Sequence, residues 1–380
     1  MSGAVRRRFV DGPREGGAAG RVLVVAVGAL MTIALANFLL AQLKAMGLVA
    51  SQVTGDAVPF EAGVIGLALV ILGYETLGGM RAVAWTDAAQ GVLMLLGLAT
   101  LLGWVLGEAG GLGAVTRAVA RVRPTAVAVP DAATCANWFS TVALLGLASV
   151  IYPQAIQRIY AAESGRALKR SFAAMSFMPL ATTFVVTLIG IAAISRIGSS
   201  SGIDTDAVMP ALLAEWAQHG TWSTAGAVLV FLGALAAIMS TADSCLLSLG
   251  ALVAQDLLGL PGNENRTTRI GKTIAAGVLL AMIPLALQRD VTLWRLIELK
   301  MELLIQCVPA FLVAIHWRRL DAASTLAGLV VGTAFAVAYT LAGIPRLGGV
   351  HVGIVGLGLN LVVAVVGSLA RRPATAAALR

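Results

Sequence analysis

The sequence predicts an all-α polytopic membrane protein of about ten transmembrane helices. Three observations carry that reading. Of the 380 residues, 58% are hydrophobic and only 12% are charged, against roughly 45–50% and 25% in a soluble domain. Apolar runs of about 20 residues or more recur along the chain, each long enough to cross a bilayer core. No run shows the ten-residue alternation of a membrane β-barrel, so the expected spans are helices, which satisfy their own backbone hydrogen bonds in lipid.

Residues 1–20 form a polar, Gly-rich, basic segment. The apolar run behind it is too long for a signal peptide, and Arg6-Arg7-Arg8 reads as a topology anchor. Apolar runs follow at 21–43, 58–80 and 84–107. A polar stretch at 108–136 precedes further runs at 137–156, 170–196, 222–254, 268–288, 292–316, 323–342 and 350–370. With the N-terminus inside and the loops alternating, eighteen Lys and Arg fall inside and eight outside, Lys300 being left within a helix. That bias supports ten spans with both termini cytoplasmic. Arg117, Arg121 and Arg123 are the outliers. The net charge of +8 thereby belongs to cytoplasmic loops and not to nucleic-acid binding. Cys135, Cys245 and Cys307 have neither disulfide nor metal spacing. No phosphate loop, zinc-protease or nucleophile-elbow motif points to an enzyme.

Polar residues at membrane depth are costly and mark function. The segment Gly233–Leu257 carries Ser240, Thr241, Asp243, Ser244 and Ser248 in an otherwise apolar helix. Ser240 and Ser244 share a face, and hydroxyl and carbonyl oxygens are hard ligands suited to a small cation. Isolated hydroxyls more often bond the preceding turn. Asp243 favours the functional reading, because a carboxylate there needs a partner. In Gly73–Val92, Asp87 is either a complement to the helix dipole behind an N-cap Thr86 or a carboxylate at the cytoplasmic mouth of an ion path. Pro153 interrupts a helix beside Tyr152 and Gln154, as an ordinary kink or as the wall of a cavity. Glu298, Glu302 and Gln306 share one face; the first lies near the outer interface and reads as locally paired, and Gln306 with Glu302 lies deeper, as a weaker candidate for solute contact.

Three strings, Gly78–Gln90, Tyr152–Ser171 and Ala236–Asp256, with Pro309–Gly332 in support, resemble the sodium:solute symporter family. The resemblance implies a leucine-transporter-type fold, with two five-helix inverted repeats and alternating access around a midplane site. It implies sodium held by the Ala237 carbonyl and the Ser240 and Thr241 hydroxyls, and a second cation or proton site at Asp87, Asp243 and Ser244. It also implies a solute pocket lined by Leu145, Ser149, Tyr152 and Gln154. The expected function is sodium-coupled symport of a small organic solute, an organic acid or an amino acid, across the inner membrane. A proton-coupled carrier using Asp87 and Asp243 is the alternative. Aligned by these strings, 21–107 is the remainder of the first repeat, 137–316 the second repeat, 323–370 a peripheral pair and 371–380 a cytoplasmic tail. The family pattern implies three more helices upstream, on the order of 100 residues, among them the broken helix that supplies carbonyls to sodium. The expectation is therefore an N-terminally truncated fold that does not transport alone. A non-transporting scaffold or sensor is the further alternative.

Overall fold

The computed structural model describes residues 3–11, 17–77, 80–197, 205–260, 265–288 and 291–371. Gly78, Gly79, Asp204 and the tail from residue 372 lie outside the described residues. The rest is helical, as a chain of apolar runs must be where water cannot satisfy the backbone. In order the helices are α1 (Gly3–Phe9), α2 (Gly17–Val53), α3 (Phe60–Leu77), α4 (Met80–Ala109), α5 (Leu112–Val122), α6 (Ala132–Val150), α7 (Pro153–Tyr160), α8 (Gly165–Ile197), α9 (Val208–Ala217), α10 (Thr221–Ala251), α11 (Asn265–Ala286), α12 (Leu293–Ile305), α13 (Ala314–His316), α14 (Ala322–Leu341) and α15 (Val352–Ala370). A π-helical turn, Leu252–Leu257, continues α10. A two-stranded hairpin, β1 (Arg346–Leu347) with β2 (Val350–His351), joins α14 to α15.

Among the described residues, eight helical stretches are long and apolar enough to cross a membrane. The two remaining runs depart from simple spans. α3 is 18 residues long, with its apolar stretch at Phe60–Gly73. α12 stops after 13 residues. Pro309 causes the stop, because it lacks an N–H and its ring displaces the carbonyl four residues back. The chain turns at Gln306 and Cys307, resumes as a π turn at Pro309–Val313 and ends in α13.

α2 organises the bundle. At 37 residues it is about 55 Å long, well beyond the roughly 30 Å hydrocarbon core. It is apolar all round, as a central helix must be, and it packs against α3, α10, α11, α12 and α14. Leu23, Val27, Met31, Leu35, Leu39 and Leu43 are fully buried around it. This core also takes in the second half of α10, and at Gly250 the α10 backbone lies against Gly271 of α11. A second core joins α4, α5, α8 and α9 to the first half of α10 through Leu101, Val105, Val119, Leu212, Trp216 and Val230. α10 therefore threads both.

The polar stretch at 108–136 contains a helix that the apolar runs do not reveal. α5 is amphipathic: Val115 and Val119 face the core, and Arg117, Arg121 and Arg123 are exposed. The three charge-count outliers thus lie on the open face of a surface helix. Further along, Asp206 accepts a hydrogen bond from the Leu293 N–H at 2.7 Å and tethers the start of α12. At the other end of the fold α1 is docked with Val5 and Phe9 buried. Arg8 donates to the carbonyls of Ala314, Arg318 and Leu320 at 3.0, 2.8 and 3.2 Å.

Candidate functional site

The crossing of α4 and α10 builds the first part of the site. A Cβ on Gly233 would lie 3.1 Å from the Met94 Cα, so the two backbones nearly touch there. That closeness carries Asp87 of α4 to the polar face of α10. The Ser240 hydroxyl donates to one Asp87 carboxylate oxygen. Arg158 of α7 donates to the other at 2.5 Å and to the Ser244 hydroxyl at 2.7 Å. Arg158 is 55% exposed and the Asp87 side chain 18%, so solvent screening limits the pair to about 0–1 kcal/mol of stability. Its value is positional: it gathers Asp87, Ser240 and Ser244 around one guanidinium. One turn along, the Thr241 hydroxyl donates to the Ala237 carbonyl at 2.9 Å. The Ala237, Ser240 and Thr241 oxygens thus lie within about one turn of α10, with Asp87 bonded to Ser240.

Asp243 stands apart from them. It is fully buried, and neither carboxylate oxygen accepts a hydrogen bond among the described residues. It precedes Gly250 by seven residues, which returns it to within about 20° of the direction in which Gly250 meets α11. The Ser240 and Ser244 face lies about 60–100° away. Asp87 and Ser244 therefore share one cluster, and Asp243 is aimed elsewhere.

The residues expected around the solute divide in the same way. α6 ends at Val150 and α7 starts at Pro153, whose fixed φ suits a first helical position. In the break, Tyr152 sets its ring edge against Phe38 at 6.0 Å and accepts a hydrogen bond from Lys300 of α12 at 2.6 Å. Gln154 is buried, donates to the Cys245 sulfur at 2.8 Å and reaches the Thr241 carbonyl at 3.5 Å. Tyr152 and Gln154 thus tie the broken helix to α12 and to the Thr241–Cys245 stretch of α10. Leu145 is half-buried, and Ser149 is exposed with its hydroxyl bonded back to the Leu145 carbonyl at 2.6 Å. Gln306 serves a different place. It donates to the Glu302 and Gly353 carbonyls at 3.3 and 2.9 Å, and its own carbonyl takes the Asn360 amide at 2.8 Å, a strut between α12 and α15.

Sequence reasoning left out Arg158, Gln157, Cys245 and Lys300. Gln154, Gln157 and Arg158 fall at i, i+3 and i+4, one polar face of a short helix, and Gln157 accepts from Ser248 at 2.8 Å. A lysine inside an apolar run was itself the signal for Lys300. Beyond Gln157, a cavity of about 190 Å³ between α10 and α11 is lined by Gln157, Gln255, Thr267 and Lys272 among others.

A second buried cluster lies by the hairpin. Glu298 accepts from Trp294, Arg295 and Arg346 at 2.7, 3.1 and 2.6 Å. Glu302 accepts from Arg295 and Thr340, both at 3.0 Å. His351 fills the space between the two acids, 3.7 Å from Glu298 and 3.8 Å from Glu302, and its Nε2 meets the Thr141 hydroxyl at 3.0 Å. The cluster fastens α6, α12, α14 and the hairpin together.

The model of the sodium:solute symporter family matches residues 17–332 of this sequence. Over 375 residues the chain is 25% identical to an uncharacterized symporter, YhjB, of Bacillus subtilis (strain 168), covering 94% of this chain and 74% of that one. It is 26% identical over 304 residues to the sodium/pantothenate symporter of Escherichia coli (strain K12), covering 76% of this chain and 60% of the relative. It is 25% identical over 293 residues to the high-affinity proline transporter PutP of Bacillus subtilis (strain 168), covering 72% and 58%. The chain thus spans less than two thirds of the length of the last two. Among solved structures, a Na+-coupled sialic acid symporter in a substrate-bound outward-open state superposes with a TM-score of 0.76 at 15% identity, over 98% of this chain and 77% of that one.

Proposed function

The chain belongs to the sodium:solute symporter family and is a multi-pass membrane protein of leucine-transporter-type fold; from that premise we propose that it couples sodium entry to uptake of a small organic solute. In this reading it lies in the inner membrane with both termini cytoplasmic. Residues 21–107 and 137–316 belong to the two inverted repeats, and 323–370 are peripheral.

One observation carries the proposal: the bond between Ser240 and Asp87, which sets a carboxylate beside the oxygens of α10. Sodium takes the Ala237 carbonyl and the Ser240 and Thr241 hydroxyls, all hard oxygens. To serve a cation, Thr241 turns its proton away from Ala237 and Ser240 turns its proton outward. Arg158 holds the charge of Asp87 balanced until a cation competes for it. Tyr152 and Gln154 link this stretch to the break before α7, so filling the cation site biases the solute site, and by linkage the solute biases the cation site equally. A membrane potential adds about 2.3 kcal/mol per charge per 100 mV to the driving force. Asp243, a buried carboxylate that accepts no hydrogen bond among the described residues, favours a second reading, proton coupling.

The test is uptake by the full chain in proteoliposomes under a sodium gradient. Ser240→Ala and Thr241→Ala are expected to raise the sodium concentration for half-maximal uptake at least tenfold. Uptake that follows pH and ignores sodium transfers the assignment to Asp243. Uptake driven by neither gradient ends both readings.

A further inference from the structure

Lys300 is the least expected charge in the molecule. It sits eight residues into the 292–316 run, about 12 Å along the helix from the Thr292 cap, and is 2% exposed. Its ammonium lies 3.2 Å from the centroid of the Phe38 ring and 4.6 Å from that of Tyr152, and it donates to the Tyr152 hydroxyl at 2.6 Å. These contacts cushion a cation without neutralising it. Among the described residues no carboxylate pairs with it. Glu298 and Glu302 lie on the opposite side of the same helix, about 160° round from it, and are engaged by Arg295 and Arg346. Asp87 is engaged by Arg158, and Asp243, buried two residues before Cys245, has no hydrogen-bond partner among the described residues and no ion pair with Lys300.

A buried charge is retained when something pairs with it. Lys300 has three donors; one reaches Tyr152, and the aromatic faces offer no full acceptor for the others. The groups next to it are those expected around the solute, the Tyr152 phenol directly and Gln154 through Cys245. We propose that Lys300 is the anchor for a carboxylate on the solute, so that the transported solute is a small net-anionic monocarboxylate. One positive charge balances one negative charge. A zwitterion brings an ammonium as well, and the groups in contact with Lys300, the Phe38 ring and the Tyr152 phenol, include no carboxylate to receive it. This inference rests on the transporter reading and adds the class of solute.

The test is thermal unfolding of the purified full chain in detergent, followed by tryptophan fluorescence, with millimolar propionate, lactate, pyruvate and benzoate. Each acid is paired with its uncharged amide, and lactate also with alanine. At least one acid is expected to raise the melting temperature by several degrees where its amide and alanine do not. Lys300→Met is expected to weaken that acid at least tenfold, and Lys300→Arg to retain it. An amide or alanine acting as well as the acid overturns the proposal, as does a Lys300→Met chain that binds unchanged. Should Lys300→Met fail to fold, the comparison of acid with amide on the unaltered chain decides alone. Sodium stabilising the chain while every acid fails sinks the carboxylate anchor and leaves the transporter reading standing. Sodium and all probes failing together sinks both.

Discussion

Glu298 shows how much one side chain carries in this fold. It is 3% exposed and satisfies an indole and two guanidinium groups. Glu298→Ala removes an acceptor from Trp294, Arg295 and Arg346, of which the two arginines keep Glu302 and Asn137 respectively, so the expected cost is about 1–3 kcal/mol. A drop in melting temperature checks this, with Glu298→Gln expected to lose less because it keeps an acceptor. Asp321 is a milder case outside the spans. It caps α14 by accepting from the Ser324 N–H at 2.9 Å and meets Arg371 at 3.0 Å. Burial pushes its carboxyl up, but the Ser324 bonds and Arg371 together hold it below the usual carboxylate range. Its contribution is therefore full at neutral pH and is lost as the pH falls below that range. Asp321→Ala is expected to cost about 1 kcal/mol at pH 7 and to flatten the acid limb of a stability–pH curve. At this scale the sequence shows which residues are out of place in a membrane, such as Asp87, Ser240 and Asp243. It does not show their partners: Arg158 looks like an ordinary loop cation until α7 folds it back 71 residues onto Asp87.

Elements were legible where composition alone decides them. The apolar runs set most spans, since backbone in lipid has few alternatives. Pro153 marked a break for a reason internal to the chain. The early stop of α12 is harder to read, because Pro309 in a long apolar run permits either a kinked span or a full break. Here Asn360 of α15 takes the Gln306 carbonyl and supports the break. The pairing of α14 with α15 follows from small residues spaced four apart, Gly328 against Asn360 and Gly332 against Gly356. A Cβ at Gly332 would sit 2.5 Å from both the Gly356 carbonyl and the Gln306 amide oxygen. Gly332→Ala is therefore expected to destabilise by about 1–3 kcal/mol, whereas Gly358→Ala, which meets nothing within 4 Å, is expected to be nearly neutral. Unfolding of the two variants side by side checks the packing of the pair.

For the whole molecule, the division into two cores threaded by α10 sets how the fold opens. α2 buries Leu23, Val27, Met31, Leu35, Leu39 and Leu43 completely, while α8 exposes Phe172, Phe177, Leu180 and Phe184 on its outer face. Hydrogen exchange of the detergent-solubilised chain is expected to be slowest along residues 23–43 and faster in α5 and α9, because opening free energy tracks buried contact; equal protection across these helices would contradict the two-core division. Such architecture is not legible in one sequence, since its contacts join distant positions: Asn37 bonds the Leu296 carbonyl across 259 residues. The Arg8 clamp spans still more, 306 to 312 residues. At about 5–20 residues per second of synthesis, Arg8 leaves the ribosome roughly 15–60 s before the carbonyls that receive it. For that interval the guanidinium lacks the acceptors that complete its docking, so α1, although it already meets α2, is locked in place only after Ala314–Leu320 has been made.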